Sequence, residues 1–279
     1  MRKIPFVTFV DIDAAPVSNG ESRAPMSDLL ETLAQERIML VFISQRTRAQ
    51  LEGTRQALGV FHPFVCEGGA AAFVPERYFG SDLENARKVG GYQAIEFAAP
   101  YESVVDKLRR ASDRLGVGIL GFNDMSVELV ARECGLTLLE AHLAKLREYA
   151  EPFRLLCANP VAERRLFRAL ESTALTCRRG EPFHTVCASS GPRPAIDVLT
   201  TLYRLAFGKI VTAATDEGCG ATDIVPFVDV PLATGSQKRT ESPRDSGAPC
   251  ARAWLESLIE QVQFCRDART VVYAARQAR

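Results

Sequence analysis

The sequence has no Cys-x-x-Cys pair, no Gly-x-Gly-x-x-Gly after its first apolar run, no excess of either charge and no apolar stretch of membrane-spanning length. Each absence removes a class of protein. The cysteines (Cys66, Cys134, Cys157, Cys177, Cys187, Cys219, Cys250 and Cys265) are scattered, which argues against a zinc ribbon or a redox dithiol and leaves small core residues. His142 and His184 lack Cys or His partners at metal-binding spacing and read as packing or surface residues. Without the glycine fingerprint, a dinucleotide-binding reading has no support. Lys plus Arg and Asp plus Glu number 34 each, and no basic stretch is interleaved with aromatics, so nucleic acid is not an expected partner. The opening Met1-Arg2-Lys3-Ile4-Pro5 leads into an apolar segment of strand length, too short for a signal-peptide core. With no spanning run further on, no membrane partner is expected either, and the expected location is cytoplasmic. There is no internal repeat.

What is present is an α/β pattern. At 279 residues and 47% hydrophobic content the chain can bury one large core or two modest ones. Strand Phe6 to Val10, a helix from Ser27, strand Met39 to Ile43 and a helix opening at Thr47 alternate as β-α-β-α, the signature of a parallel sheet. Thr47 with Gln50, and Thr137 with Glu140, have the spacing of capping boxes and mark helix starts. Phe64 to Cys66, then Glu67-Gly68-Gly69, then Ala71 to Val74 reads as a hairpin.

From about Glu84 the pattern changes. Strand Tyr92 to Phe97 is followed by helices Tyr101 to Leu115, Ser126 to Cys134 and Leu138 to Tyr149. Strand Phe153 to Cys157, helix Val161 to Ser172 and strand Ala174 to Arg178 complete an α+β unit. The earlier style returns with strand Phe183 to Ala188, helix Ala195 to Phe207, strand Ile210 to Ala214, a Gly-rich loop and strand Val228 to Leu232. Ala233 to Pro249 is aperiodic and reads as a loop before a closing helix around Ala251 to Phe264. The expected organisation is a core from residues 1–85 and 186–279, with residues 86–185 as an inserted cap.

Three places could carry chemistry. Asp11 and Asp13 follow the first strand, and ligands of open parallel sheets bind beyond the carboxyl ends of strands. One carboxylate there can attack phosphorus while the other protonates the leaving oxygen and later activates water. Their mutual repulsion suits a bound Mg²⁺. From the dipeptide alone, a turn or a helix-capping Asp pair is the plainer reading. The second strand ends in Ser44-Gln45-Arg46-Thr47, so Ser44 and Arg46 place a hydroxyl and a cation at the next edge, where Ser44 could hold a phosphate oxygen or be a plain loop serine. The third place is Thr215-Asp216-Glu217-Gly218-Cys219-Gly220-Ala221-Thr222-Asp223, acids on a Gly-rich loop that suit Mg²⁺ or an ordinary acidic turn.

Taken in order, these parts resemble the haloacid-dehalogenase superfamily. More narrowly, Pro63-Phe64-Val65-Cys66-Glu67-Gly68-Gly69-Ala70-Ala71, Gly121-Phe122-Asn123-Asp124-Met125-Ser126, Leu143 to Phe153 and Val228-Asp229-Val230-Pro231 are similar to mannosyl-3-phosphoglycerate phosphatases. The resemblance spans about Phe6 to Leu232, and the stretches at 121–126 and 143–153 are its specific part. It implies a Rossmann-like parallel-sheet core with an inserted α+β cap. It also implies a Mg²⁺-dependent phosphomonoesterase for a small phosphorylated metabolite, a glycoside of phosphoglycerate, working through an aspartyl-phosphate. Asp11 would be the nucleophile, Asp13 the acid/base and Ser44 the phosphate ligand; Asp11, Asp13 and Asp216 would hold the metal, with Glu217 as the alternative to Asp216 and Asp223 assisting. Asn123, Asp124 and Met125 precede a helix start at Ser126 whose N–H groups can receive an anion, and Lys145, Arg147 and Glu148 fall in the next helix's last turn. Substrate contacts and a solvated charged face are both open for these.

The chain departs from the family at three points. Ala14-Ala15 stands where Gly-Thr follows the Asp pair, and the lysine of Asp-Lys-Gly-Lys-Ala is missing from Ser190-Gly191-Pro192-Arg193-Pro194-Ala195, where Arg193 is the nearest substitute cation. The usual Gly-Asp-x-x-Asn-Asp loop is altered at 215–220. These changes also fit a protein that keeps the fold and binds a ligand without turning it over.

Overall fold

The structure, a computed structural model, describes residues 3–15, 27–157, 159–215, 228–232 and 251–277. Its centre is β1 (Phe6–Asp11), a run of apolar residues with one threonine before the closing aspartate, every residue of which is buried. Continuous burial is what a strand covered on both faces requires. β1 lies parallel to β2 (Ile38–Ile43) on one side and β11 (Val211–Thr215) on the other, in register Phe9↔Val41 and Phe9↔Ala214. Successive side chains divide between the faces. Phe6 and Val10 join the layer of α1 (Ser27–Gln35), α2 (Arg48–Leu58) and α8 (Ala251–Gln277), which contributes Trp254, Leu258 and Val262. Val7 and Phe9 pack against Ala195, Ile196, Leu199 and Tyr203 of α7 (Arg193–Phe207). The α/β reading of the sequence is realised in these layers.

Among the described residues this sheet runs β12-β11-β1-β2-β3-β4-β6-β5. β12 (Val230–Leu232) and β3 (Phe64–Cys66) extend it in parallel, and β4 (Ala71–Pro75), β6 (Tyr92–Glu96) and β5 (Arg87–Val89) add antiparallel strands. The second sheet, β7-β8-β10-β9, is antiparallel: β7 (Ile119–Gly121), β8 (Ala150–Leu155), β10 (His184–Cys187) and β9 (Thr176–Arg178). Helices α3 (Tyr101–Leu115) and α6 (Pro160–Glu171) cover it through a cluster around Phe153, Leu166 and Val186. α4 (Val127–Cys134) and α5 (Leu138–Lys145) form a smaller cluster with Phe122 and Met125. No helix of the described residues is long and apolar enough to cross a membrane.

Sheet membership differs from the expected limits at 86 and 185. β5 and β6 belong to the large sheet: Gly90 and Gly91, both at positive φ (55° and 81°), make a two-residue hairpin turn whose second strand pairs with β4. Conversely, β10, expected to resume the core, sits between β8 and β9, because Val186 is buried in the cluster of the small sheet. Both expected capping boxes form, at Thr47/Gln50 and Thr137/Glu140. α5 stops at Lys145 rather than running to Tyr149, so Arg147 and Glu148 lie beyond it, and β8 begins at Ala150. The closing helix continues past Phe264 to Gln277. The expected loop at 233–249 lies outside the described residues.

A half-buried histidine, His62, packs at the edge of this core. The Nδ1 of His62 is 2.6 Å from Tyr78 Oη, which lies 3.2 Å from Tyr203 Oη, and Arg55 stacks over Phe64 at 4.2 Å while donating to the His62 carbonyl at 2.6 Å. Burial first, and the Arg55 charge second, push the His62 pKa down from 6.5 to about 4. The unfolded chain then takes up a proton at higher pH than the native one. Stability is full above pH 6.5 and falls as pH drops toward 4, by on the order of 3 kcal/mol at most. Urea titrations from pH 7.5 to 4 should show this slope in the wild type and a shallower one in His62→Gln; parallel curves would remove His62 from the acid response.

Candidate active site

The ends of β1 and β2 bring the first two expected groups together. Ile12 N–H donates to the Ile43 carbonyl at 3.1 Å, which carries the β1–β2 pairing one residue past the strand and fixes where Asp13 emerges. Asp13 is then held from three sides. Ser44 Oγ donates to Oδ1 at 2.7 Å, Gln45 N–H donates to Oδ2 at 2.7 Å, and Arg46 Nε lies 3.2 Å from Oδ1. Arg46 N–H donates in turn to Ser44 Oγ at 2.9 Å, so the hydroxyl is fixed by both neighbours. Asp11 is buried, and its Oδ1 accepts the Asp13 N–H at 3.0 Å. These are the contacts of a preorganised carboxylate pair, and they exceed what a simple turn needs.

Asp11, Asp13, Ser44, Gln45, Gly68, Pro192 and Arg178 of β9 line a narrow cleft together with Ile43. It shares Gln45, Gly68, Arg178 and Pro192 with a wider cleft of about 370 Å³ that runs along Thr176, Thr185, Cys187 and Ser189 to Arg193. The large sheet therefore supplies one wall and β9–β10 of the small sheet another. Gly69 is a requirement of this arrangement. At φ 102° a side chain there would be strained, and its Cβ would meet backbone atoms of Gly191 and Pro192 at 2.4 to 2.6 Å. The close approach seats the 191–192 turn, and with it Pro192, beside the Asp pair.

The two sheets are tied together next to the cleft. Glu67, buried and at φ 47°, accepts the backbone N–H groups of Glu148, Tyr149 and Ala150 at 2.9, 3.0 and 2.7 Å. Burial raises its pKa despite these donors and the nearby Arg147. Glu148 bridges Arg48 and Arg87, each at 2.8 Å, and Thr47 Oγ1 donates to the Leu143 carbonyl at 2.8 Å. Arg147 Nη1, from the segment between α5 and β8, donates to the Gln45 carbonyl at 2.8 Å, so the residue whose N–H binds Asp13 is held at its other peptide as well.

The expected residues between 123 and 147 lie apart from the cleft walls. Lys145 Nζ donates to the carbonyls of Phe122 and Met125. Asp124 pairs with Arg109 at 2.5 Å, Asn123 N–H donates to the buried Glu151 at 2.9 Å, and Ser126 caps α4. The 121–126 stretch is thus a self-satisfied turn, and Arg147 holds the Ser44–Arg46 loop; neither lines either cleft. Arg193 lines the wide part only, with its guanidinium exposed and 3.6 Å from Asp197. Asp216, Glu217, Cys219 and Asp223 lie outside the described residues; β11 ends at Thr215, beside β1. Reasoning from sequence passed over Gln45, whose peptide has no side-chain signal, and Arg178, at the end of a three-residue strand. Glu67 stood inside a quoted motif, but nothing local marked its carboxylate as buried.

Two carboxylates at one strand end fit Mg²⁺, which takes one or two carboxylates and completes its shell with water and phosphate oxygens. Among the described residues no group of three or more His, Cys, Asp or Glu gathers to form a larger metal cage.

No family model matches the chain. It is 30% identical over 230 residues to the glucosyl-3-phosphoglycerate/mannosyl-3-phosphoglycerate phosphatase of Methanococcoides burtonii, covering 81% of this chain and 83% of that protein. To the mannosyl-3-phosphoglycerate phosphatase of Pyrococcus horikoshii it is 26% identical over 234 residues, covering 84% and 92%. Among solved structures, a haloacid dehalogenase-like hydrolase from Bacteroides thetaiotaomicron superposes with a TM-score of 0.53 at 12% identity, covering 82% of this chain and 94% of that one. A phosphatase of the same superfamily and organism gives 0.52 at 16% identity, covering 82% and 90%. These two show a shared fold.

Proposed function

Because this chain belongs to the mannosyl-3-phosphoglycerate phosphatase family of the haloacid-dehalogenase superfamily, hydrolases of phosphate monoesters, we propose that it releases phosphate from mannosyl-3-phosphoglycerate or a related glycosyl-phosphoglycerate. The observation that carries this reading is the Asp11–Asp13 pair at the end of the central strand, braced by Ser44, Gln45 and Arg46 and facing a cleft walled by both sheets. The small sheet with α3–α6 acts as the cap, and the 370 Å³ cleft takes the organic part of the substrate.

Asp11 attacks phosphorus, forming an O–P bond as the ester P–O bond breaks, and a proton from the Asp13 carboxyl goes to the leaving oxygen. Asp13, now a carboxylate, takes a proton from water, whose oxygen attacks the aspartyl-phosphate and returns Asp11 as a free carboxylate. Ser44 orients Asp13 in one step and can turn its hydroxyl to a phosphate oxygen in the other. Arg46 and Gln45 N–H hold Asp13 in reach as its charge changes. Mg²⁺, when bound by Asp11 and Asp13 with Asp216 as the expected third ligand, would offset the negative charge of carboxylates and phosphate.

The test is a panel of phosphorylated metabolites, glycosyl-3-phosphoglycerates among them, assayed for phosphate release with Mg²⁺ and with chelator. Turnover is expected for phosphorylated sugar acids with Mg²⁺ and none with chelator. Chelator-resistant turnover would sink the metal assignment, and a wild type that releases no phosphate from any member would sink the enzyme reading.

A further inference from the structure

The phosphate of a monoester carries two negative charges that a site must meet with cations beyond a single metal ion. On the proposed core side of the narrow cleft the chain offers none at the place where the resemblance implies the lysine of the Asp-Lys-Gly-Lys-Ala segment. That place is occupied by Pro192, which lines the cleft beside Asp11 and Asp13 and is held there by the close packing of Gly69 on Gly191. Arg193 does not fill the gap: its guanidinium is exposed, sits 3.6 Å from Asp197, and borders only the wide cleft.

We propose that Arg178, carried on β9 of the small sheet, is the phosphate-binding catalytic cation of this chain, so that the cap completes the catalytic charge as well as enclosing the substrate. Arg178 lines both clefts and is the one cationic side chain among the described residues lining the narrow one. β9 pairs with β10 at Thr185↔Arg178, which fixes the arginine's Cα at the rim shared by the two clefts. A guanidinium there can grip two phosphate oxygens at once, a geometry that an ammonium cannot reproduce. The consequence is a division of labour: the large sheet holds nucleophile and acid/base, and the small sheet brings the charge that stabilises transfer, so an open cap would leave the Asp pair with a weakened site.

This inference rests on the phosphatase reading, and the experiment separates the two. Wild type, Arg178→Ala, Arg178→Lys and Arg178→Ala/Pro192→Lys are compared for hydrolysis of p-nitrophenyl phosphate, which has no sugar for a cap to recognise, and for binding of inorganic phosphate by calorimetry, both with Mg²⁺. Arg178→Ala should lower kcat by roughly a hundredfold or more and weaken phosphate binding at least about tenfold, with an unchanged Tm. Arg178→Lys should stay well below wild type. A lysine grafted at 192 should return about tenfold or more of the lost kcat, because it puts charge back at the same phosphate from the other wall. A kcat within about threefold of wild type in Arg178→Ala, or unaltered phosphate affinity, overturns the proposal. If the wild type binds phosphate but turns over nothing, the enzyme reading fails while the phosphate titration still decides Arg178. A wild type that neither binds nor releases phosphate overturns both.

Discussion

Asp11→Asn is expected to leave phosphate release at least about 10⁴-fold below wild type, with the melting temperature preserved. The substitution is nearly isosteric, and the Asn Oδ1 can still accept the Asp13 N–H that Asp11 accepts at 3.0 Å. β1 keeps its register, since Ile43 pairs with residue 11 through the backbone. What is lost, on the proposed mechanism, is the charged oxygen that attacks phosphorus and, with it, a carboxylate proposed to hold the metal. An amide is a poor nucleophile and cannot form the acyl phosphate. Asp13→Asn should differ in kind. Asp13 accepts from Ser44 Oγ on one oxygen and from Gln45 N–H on the other, so an amide NH₂ must face a donor on one side. That variant should lose activity and also some stability. Turnover by Asp11→Asn above a few per cent of wild type would remove Asp11 from covalent chemistry and leave it a metal-binding or structural role.

The parts of this site that could be read from the sequence are those set by local rules. A buried parallel strand announces itself as an unbroken apolar run, and Asp11, Asp13 and Ser44 are legible because strand ends of such sheets are where ligands bind. Capping boxes at Thr47 and Thr137 are equally local, and both form. Which sheet a strand joins is decided by partners far along the chain. Tyr92 to Glu96 reads as a strand in either sheet until Phe73↔Ala94 pairing with β4 places it, and His184 to Cys187 resembles a core strand until Val186 is seen among Phe153 and Leu166. The same limit applies to side chains. Asn123, Asp124 and Lys145 have the look of ligand contacts, but Lys145 caps the carbonyls of the very turn that carries the others. Arg178 carries no pattern at all; only the pairing of β9 with β10 brings it to the Asp pair.

Glu67→Ala is expected to lower Tm by about 10 °C and to cost on the order of 4 kcal/mol, the largest stability effect foreseen from a single polar side chain here. The carboxylate is 2% exposed and accepts from three consecutive backbone N–H groups, those of residues 148 to 150. Truncation strands all three in an interior where Tyr149 and Ala150 are buried, and an unsatisfied buried donor typically costs about 1–3 kcal/mol. The damage falls where α5 has ended and β8 begins, at the joint between the sheets, and so also loosens the Arg147 contact to the carbonyl of Gln45, the residue whose N–H binds Asp13. Activity should therefore fall in the folded variant at 25 °C, through kcat. Glu67→Gln keeps one acceptor oxygen but turns an NH₂ toward a donor, so it should lie between wild type and Ala. Thermal and urea unfolding of the three proteins checks the order. A Tm for Glu67→Ala within about 2 °C of wild type would mean that water or a shifted backbone satisfies the 148–150 amides, and that the joint is not built on this carboxylate.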